Sequence, residues 1–288
     1  MADELTKLLL TSGSDPNIPD IDGFTPLAMA AARGNIEQCS LLLAYGSNPN
    51  FQSPDDGWTP LMLACYHGNT RLVVGLLNPL MLPKINEYLP VNMAPTPAHP
   101  GLQNQQRATA LIIASQFGHC ELIEEMFPAS KLVPVTINHR DIAGRSALAC
   151  AAFKGNTDVV ALLLQMKANP DTCDNEGCSP LMLAVYKGHR AIVELLLQHG
   201  ADISLSDING CTAIMIAVSS GNADVLKLLL HVAHNLPNTT ELVNAQQQNG
   251  TTALLLAVVK GNEKIVEMLI ASHASLEFNR PIDEWTAV

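Results

Sequence analysis

The chain has 288 residues, 48% of them hydrophobic and 15% charged, enough to bury a sizeable core and unlike the weakly hydrophobic, highly charged composition of disordered chains. Sixteen Lys and Arg against 27 Asp and Glu leave a net charge of −11, which argues against wrapping a phosphate backbone, so no nucleic-acid partner is expected. No apolar stretch approaches the ~20 residues of a membrane span. The start, Met1-Ala2-Asp3-Glu4, lacks the basic and apolar regions of a secretory leader, and the seven cysteines are odd in number and scattered. The expectation is an intracellular, cytoplasmic setting, with the nucleus as the alternative, and no direct membrane insertion.

Residues 1–22, with Leu8-Leu9-Leu10 followed by Gly13 and Pro16-Asn17, read as the second half of a repeat whose first helix is missing. From residue 23 a pattern Gly-x-(Thr/Ser)-(Pro/Ala)-(Leu/Ile) recurs at a period of about 33 residues. Its copies open at Gly23, Gly57, Gly144, Gly177, Gly210 and Gly250, and a seventh opens at Arg107 without the glycine. Eleven positions after each anchor stands Gly34, Gly68, Gly118, Gly155, Gly188, Gly221 or Gly261, each followed by Asn or His. Seven positions after each anchor the residue is always alanine, where only a small side chain lets neighbouring helices approach. The hydroxyl residue of the pattern fits a helix N-cap, with proline in the first turn of three copies, and the second glycine fits a left-handed helix end. Beyond it lies an apolar stripe such as Ile192, Val193, Leu195, Leu196 and Leu197. Each unit is therefore predicted to be two short antiparallel helices.

Along the chain this places repeats one and two at 23–77, a Pro-rich insertion loop at 78–106, repeats three to seven at 107–283 and the start of a truncated further repeat at 284–288. The insertion carries Pro79, Pro83, Pro90, Pro95, Pro97 and Pro100, which remove backbone donors and disfavour regular helix. It is expected to be a surface loop with few core contacts. Half-repeats at both ends suggest a piece of a longer array.

These motifs, seen best over residues 177–202, resemble the ankyrin-repeat family over nearly the whole chain. The resemblance implies an all-α ankyrin-repeat solenoid of paired antiparallel helices with hairpin-like loops. One departure is consistent: the histidine usual after Thr-Pro-Leu is replaced by Ala28, Met62, Ile112, Ala149, Met182, Met215 and Leu255, so the loops are expected to lack its bracing hydrogen bonds.

The motifs of catalysis are absent: no phosphate loop, no nucleophile elbow, no His-Glu-x-x-His. Cys173 and Cys178 have a spacing zinc tolerates, with His189 nearby, but no second pair follows. No cofactor, no metal and no enzyme activity are expected. The acidic residues Asp20, Asp22, Asp55, Asp56, Asp141, Asp174, Glu176 and Asp207 sit at hairpin tips, where they are read as solvated turn residues, with a basic partner touching the tips as the alternative.

The resemblance implies a concave partner surface at offsets one, nine and ten from each anchor. Those positions hold Phe24, Trp58, Tyr66, Phe117, Phe153 and Tyr186, six of the chain's twelve aromatic residues, and also Arg33, His67, Arg145, Lys154, Lys187 and Lys260, with no Asp or Glu. Aromatic and cationic side chains dominate interface energetics. The expected function is a protein-interaction scaffold or adaptor, monomeric on its own, that holds a partner segment with apolar anchors and acidic residues in a basic, aromatic-lined groove. The alternative is the targeting or regulatory region of a larger enzyme or channel.

Overall fold

The structure, a computed structural model, describes residues 2–89, 95–130 and 137–277, and the expected repeat start at 284–288 lies outside the described residues. The chain divides into two compact units, Met1–Ala147 and Leu148–Val288. Its fold is an all-α repeat solenoid. Among the described residues, β pairing appears only as isolated bridges at hairpin tips, Arg140 with Ser146, Ser206 with Thr212 and Gln246 with Thr252.

The first unit begins with α1 (Ala2–Thr11), followed by two helix pairs, α2 (Pro26–Arg33) with α3 (Ile36–Ala44) and α4 (Pro60–Tyr66) with α5 (Thr70–Leu77). After the short α6 (Ile85–Tyr88) come α7 (Ala110–Phe117) and α8 (Cys120–Ser130). First helices pack on first helices, α2 on α4 and α4 on α7, while α5 packs on α8. Each first helix starts where the repeat pattern places a hydroxyl. Thr25 and Thr59 accept from the N–H of Ala28 and Met62 (3.3 and 3.2 Å), and a proline follows whose missing N–H costs nothing in the first turn. The invariant alanines lie between layers: Ala64 and Ala114 are fully buried and Ala30 is 1% exposed.

The second unit repeats the plan more regularly. Helix α9 (Ala147–Lys154), whose first residue marks the unit boundary, precedes α10 (Thr157–Gln165), then α11 (Pro180–Lys187) with α12 (Arg190–Gln198) and α13 (Ala213–Ser219) with α14 (Ala223–His234). The short α15 (Thr239–Val243) leads to α16 (Ala253–Val259) and α17 (Glu263–Ala271). Here α11 packs on α13 and α13 on α16, and α12 packs on α14. Ser179, Thr212 and Thr252 supply the same N-caps.

The second glycine of the pattern has two reasons to be glycine. At Gly68 φ is 72°, in the left-handed region, and a Cβ there would lie 2.6 Å from the His119 ring of the next repeat. Gly34 meets Asn69 and Gly155 meets His189 in the same way. At these three positions the Asn or His of the next repeat packs over the glycine, and two of them reach the preceding backbone. Asn69 donates to the Ala31 carbonyl (3.3 Å), and His119 Nε2 lies 3.2 Å from the Tyr66 carbonyl oxygen.

Two expectations fail. The insertion is not a loose loop: it contains a 3₁₀ turn at Pro79–Met81 and α6, and it buries Leu82 and Ile85, at 4% and 1% exposure. It is also tied down. Ala98 N–H donates to the Leu76 carbonyl (2.8 Å), and the Asn50 side chain donates to the Pro97 carbonyl and accepts from His99 N–H (3.2 and 2.7 Å). The prolines forbid a long helix but leave Leu82 and Ile85 free to cover the neighbouring helices. Nor are all the acidic tip residues solvated. Asp20, Asp141, Asp174 and Asp207 each accept the N–H four residues on (2.8 Å), closing the hairpin tip, and Asp141 is only 6% exposed.

Candidate partner-binding face

In the first unit the ends of α4 and α7 and the loops before α2 and α4 bring five of the expected site residues together, Phe24, Trp58, Tyr66, His67 and Phe117. The Trp58 and Tyr66 rings meet edge to face, 5.8 Å apart at 81°, and Tyr66 packs on Phe117, 4.6 Å away, and on its neighbour His67. Offset pairing of this kind adds stability beyond area burial and holds each ring in place. Phe24, Trp58, Leu63, Tyr66, His67 and Asp56 line a hollow of about 320 Å³. Tyr66 and Phe117 remain 41% and 45% exposed, while Phe24 and Trp58 are half-buried. Arg33 is exposed at the end of α2. Arg145 is engaged within the chain: its guanidinium Nε and a terminal nitrogen both donate to Asp141 Oδ2 (3.1 and 3.0 Å).

In the second unit the expected residues gather differently. The Lys187 ammonium lies 4.4 Å from the Phe153 ring centroid and 5.4 Å from that of Tyr186, which is 61% exposed. Lys154 is exposed at the end of α9, and Lys260 is exposed just after α16. The corresponding positions of the later repeats hold Cys211, Ser219, Ser220, Thr251 and Val259, and no ring.

Three residues joined to this face had not been singled out as part of it. Asp56 and Leu63 line the hollow, and His119 stacks on Phe117 at 6.4 Å. Asp56 stands one residue before its anchor and Leu63 six after it, so a wider choice of repeat offsets would have found them. His231 and His234, in the last turn of α14, are exposed and line a second hollow of about 370 Å³ with Lys227, Leu230 and Met268.

The thiols of Cys39, Cys65 and Cys178 show no activation. Burial pushes Cys39 up to about 12 and raises Cys65 further, and burial with the neighbouring Asp174 and Asp207 charges pushes Cys178 up to about 11. Nucleophilic cysteines need the opposite shift. Among the described residues, no group of three His, Cys, Asp or Glu could hold a metal ion, and no helix is long and apolar enough to cross a membrane.

Comparison with known proteins places these repeats. The chain is 43% identical over 67 residues to rat ankyrin repeat and SAM domain-containing protein 6, a match that covers 22% of this chain and 8% of that protein. It is 27% identical over 197 residues to neurogenic locus notch homolog protein 1 of Xenopus tropicalis, covering 56% of this chain and 8% of that protein. It is 30% identical over 155 residues to the putative E3 ubiquitin-protein ligase XBAT31 of Arabidopsis thaliana, covering 50% and 29%. The chain thus spans less than a third of each of these relatives. Among solved structures, the ankyrin-repeat domain of Bcl-3, described as a unique member of the IkappaB protein family, superposes with a TM-score of 0.67 at 23% identity, over 86% of this chain and 99% of that one. Ankyrin repeats generally mediate protein–protein interaction, and domains built from them are typically non-catalytic binding modules. A family model described as ankyrin repeats in three copies matches residues 2–88, 80–171, 111–207 and 204–281, and with a match over nearly every repeat the chain belongs to the ankyrin-repeat family.

Proposed function

We propose that this chain is a non-catalytic scaffold or adaptor module that holds an extended segment of an intracellular protein partner against its exposed aromatic rings. The observation that carries this reading is the exposure of Tyr66, Phe117 and Tyr186, at 41%, 45% and 61%. Large rings left in water at recurring repeat positions gain by being covered, and rings already fixed by their neighbours lose little entropy on binding. Apolar anchors of the partner would cover the rings. Its acidic residues would face the exposed cations Lys154, Lys187 and Lys260 in the second unit and Arg33 in the first. The array acts as a monomer, with no cofactor and no nucleic acid.

Selection of a displayed random peptide library against the full chain tests this. Enriched peptides should combine aromatic or aliphatic anchors with Asp or Glu. They should lose binding to the Trp58→Ala, Tyr66→Ala, Phe153→Ala triple variant while its helical circular dichroism is unchanged. Peptides that bind the variant as tightly as the parent would place the site elsewhere.

A second reading, that the array is the targeting or regulatory region of a larger enzyme or channel, is favoured by the length of the relatives: the chain spans 8% of the first and 29% of one named as a putative ubiquitin ligase. The full reading frame decides it.

A further inference from the structure

The rings of the two units differ in what lies over them. In the second unit Lys187 places its ammonium over Phe153 and Tyr186, so those ring faces carry a cation that belongs to the chain. The attraction is that of a positive charge for the negative face of a π-system. In the first unit the residue after the exposed tyrosine, at the same repeat position, is His67 instead of lysine. Among the described residues of that unit the cation found over a ring is Lys7 over Tyr88, outside the hollow. The hollow beside Trp58 therefore has the rings but no ammonium.

Its remaining features fit one kind of occupant. Trp58 and Tyr66 stand at 81° to each other and form two walls of an angle, with Phe24 and Leu63 completing an apolar lining of about 320 Å³. The formal charge in the lining is the Asp56 carboxylate. The Asp56 carbonyl accepts Gln105 N–H (2.9 Å), which fixes the loop, while its carboxylate has no hydrogen bond or ion pair among the described residues. A neutral apolar group would use the rings and waste the carboxylate; an acidic group would be repelled by it. A cation uses both.

We propose that this hollow receives a cationic side chain of the partner segment, and that N-methylated lysine is its best match. Methylation keeps the charge, spreads it over apolar methyl groups and reduces the hydration that must be lost on entering an aromatic hollow. The proposal rests on the reading that the aromatic rings are the partner surface. It replaces the apolar anchor by a cation at the Trp58 hollow alone, and so assigns opposite charges to the partner at the two units: a cation there, and carboxylates where Lys154 and Lys187 stand.

The test uses the full chain with Trp285→Phe, which leaves Trp58 as the one tryptophan. Tetramethylammonium chloride is titrated against Trp58 fluorescence, with sodium chloride as the ionic-strength control. A glycine-flanked trimethyl-lysine peptide is then compared with its neutral isostere, in which carbon replaces the quaternary nitrogen. Saturable binding of tetramethylammonium and of the charged peptide, with the neutral isostere about tenfold weaker, is the expected result. Asp56→Asn, which touches only an exposed side chain, should weaken the charged peptide severalfold and leave the neutral one unchanged. Equal binding of charged and neutral peptides, both lost in Tyr66→Leu, would overturn the cation assignment and leave the aromatic surface standing. Absence of any saturable change, together with selected peptides indifferent to Tyr66→Leu, would overturn both.

Discussion

The two units share a framework and differ in their decoration. The cap hydroxyls, the buried alanines and the left-handed glycines are the same in both, because each answers a requirement of helix pairing that no neighbour can relax. The exposed offsets are not shared. The first unit clusters Phe24, Trp58, Tyr66 and Phe117 around an open hollow, whereas the second sets the Lys187 ammonium over Phe153 and the still exposed Tyr186 and then turns to serine, threonine and valine. Fold and site are thus written at different positions of one repeat, so either can change without the other.

The largest effect should come from breaking the shared part. Leu76 and Leu196 occupy the same repeat position in the two units and are both fully buried. Replacing either by alanine removes packed methyl groups and leaves a cavity, at a cost of about 2–5 kcal/mol. Urea titration of Leu76→Ala and Leu196→Ala should give losses of similar size. A nearly silent variant at one site would mean that the framework is not equivalent in the two units.

A smaller effect should come from exchanging the decoration. His67→Lys gives the first unit the lysine that the second already has, and its ammonium can fold over Trp58 or Tyr66 as Lys187 does over Phe153. Tetramethylammonium affinity at Trp58 should fall about tenfold, with thermal stability unchanged. Lys187→Ala does the reverse and uncovers Phe153 and Tyr186. Unchanged cation affinity in His67→Lys would show that the difference between the units is not the tethered lysine.

What could be read from the sequence follows the same division. The Thr25 and Thr59 caps were legible because they depend on neighbours within one turn, and the period, the helix pairs and the burial of Ala64 and Ala184 were legible because the same residues recur at the same offsets in every repeat. So was the concentration of rings at three offsets. That Trp58 and Tyr66 enclose a hollow while Lys187 covers Phe153 was not, because it depends on side-chain directions between repeats that a linear pattern does not record. The insertion misled for a related reason. Its prolines argue correctly against a long helix, but the burial of Leu82 and Ile85 is a tertiary fact, and so is the Asn50 clamp on Pro97 and His99. Asp141 looked like any acidic turn residue, and its burial goes with the bonds it accepts from the Arg145 N–H and guanidinium.

The smallest effect belongs to the ion pair that ties the insertion of the first unit to its framework, a contact with no counterpart among the ion pairs described in the second. Lys84 Nζ lies 2.8 Å from Glu37 Oε1, between two side chains about half exposed. The hydrogen bond to Lys84, and then its charge, hold the Glu37 carboxyl below its usual value; the same contact raises Lys84. The sign follows from the depressed carboxyl. Its contribution is complete above the ordinary glutamate value of about 4.3 and is lost as pH falls through the lower folded value. The raised lysine contributes below its ordinary value and loses that contribution as pH rises through the folded one. Because the pair is solvated, Glu37→Gln at neutral pH should shift the unfolding midpoint by no more than the error of the measurement, and added salt should remove what remains. The partner change must be Lys84→Met rather than Lys84→Gly. Lys84 holds a left-handed backbone at φ 58°, and glycine would relieve that strain while removing the charge. A clear loss of stability in Glu37→Gln would mean that the insertion is held at this bridge; the expected silence assigns that work to buried Leu82 and Ile85.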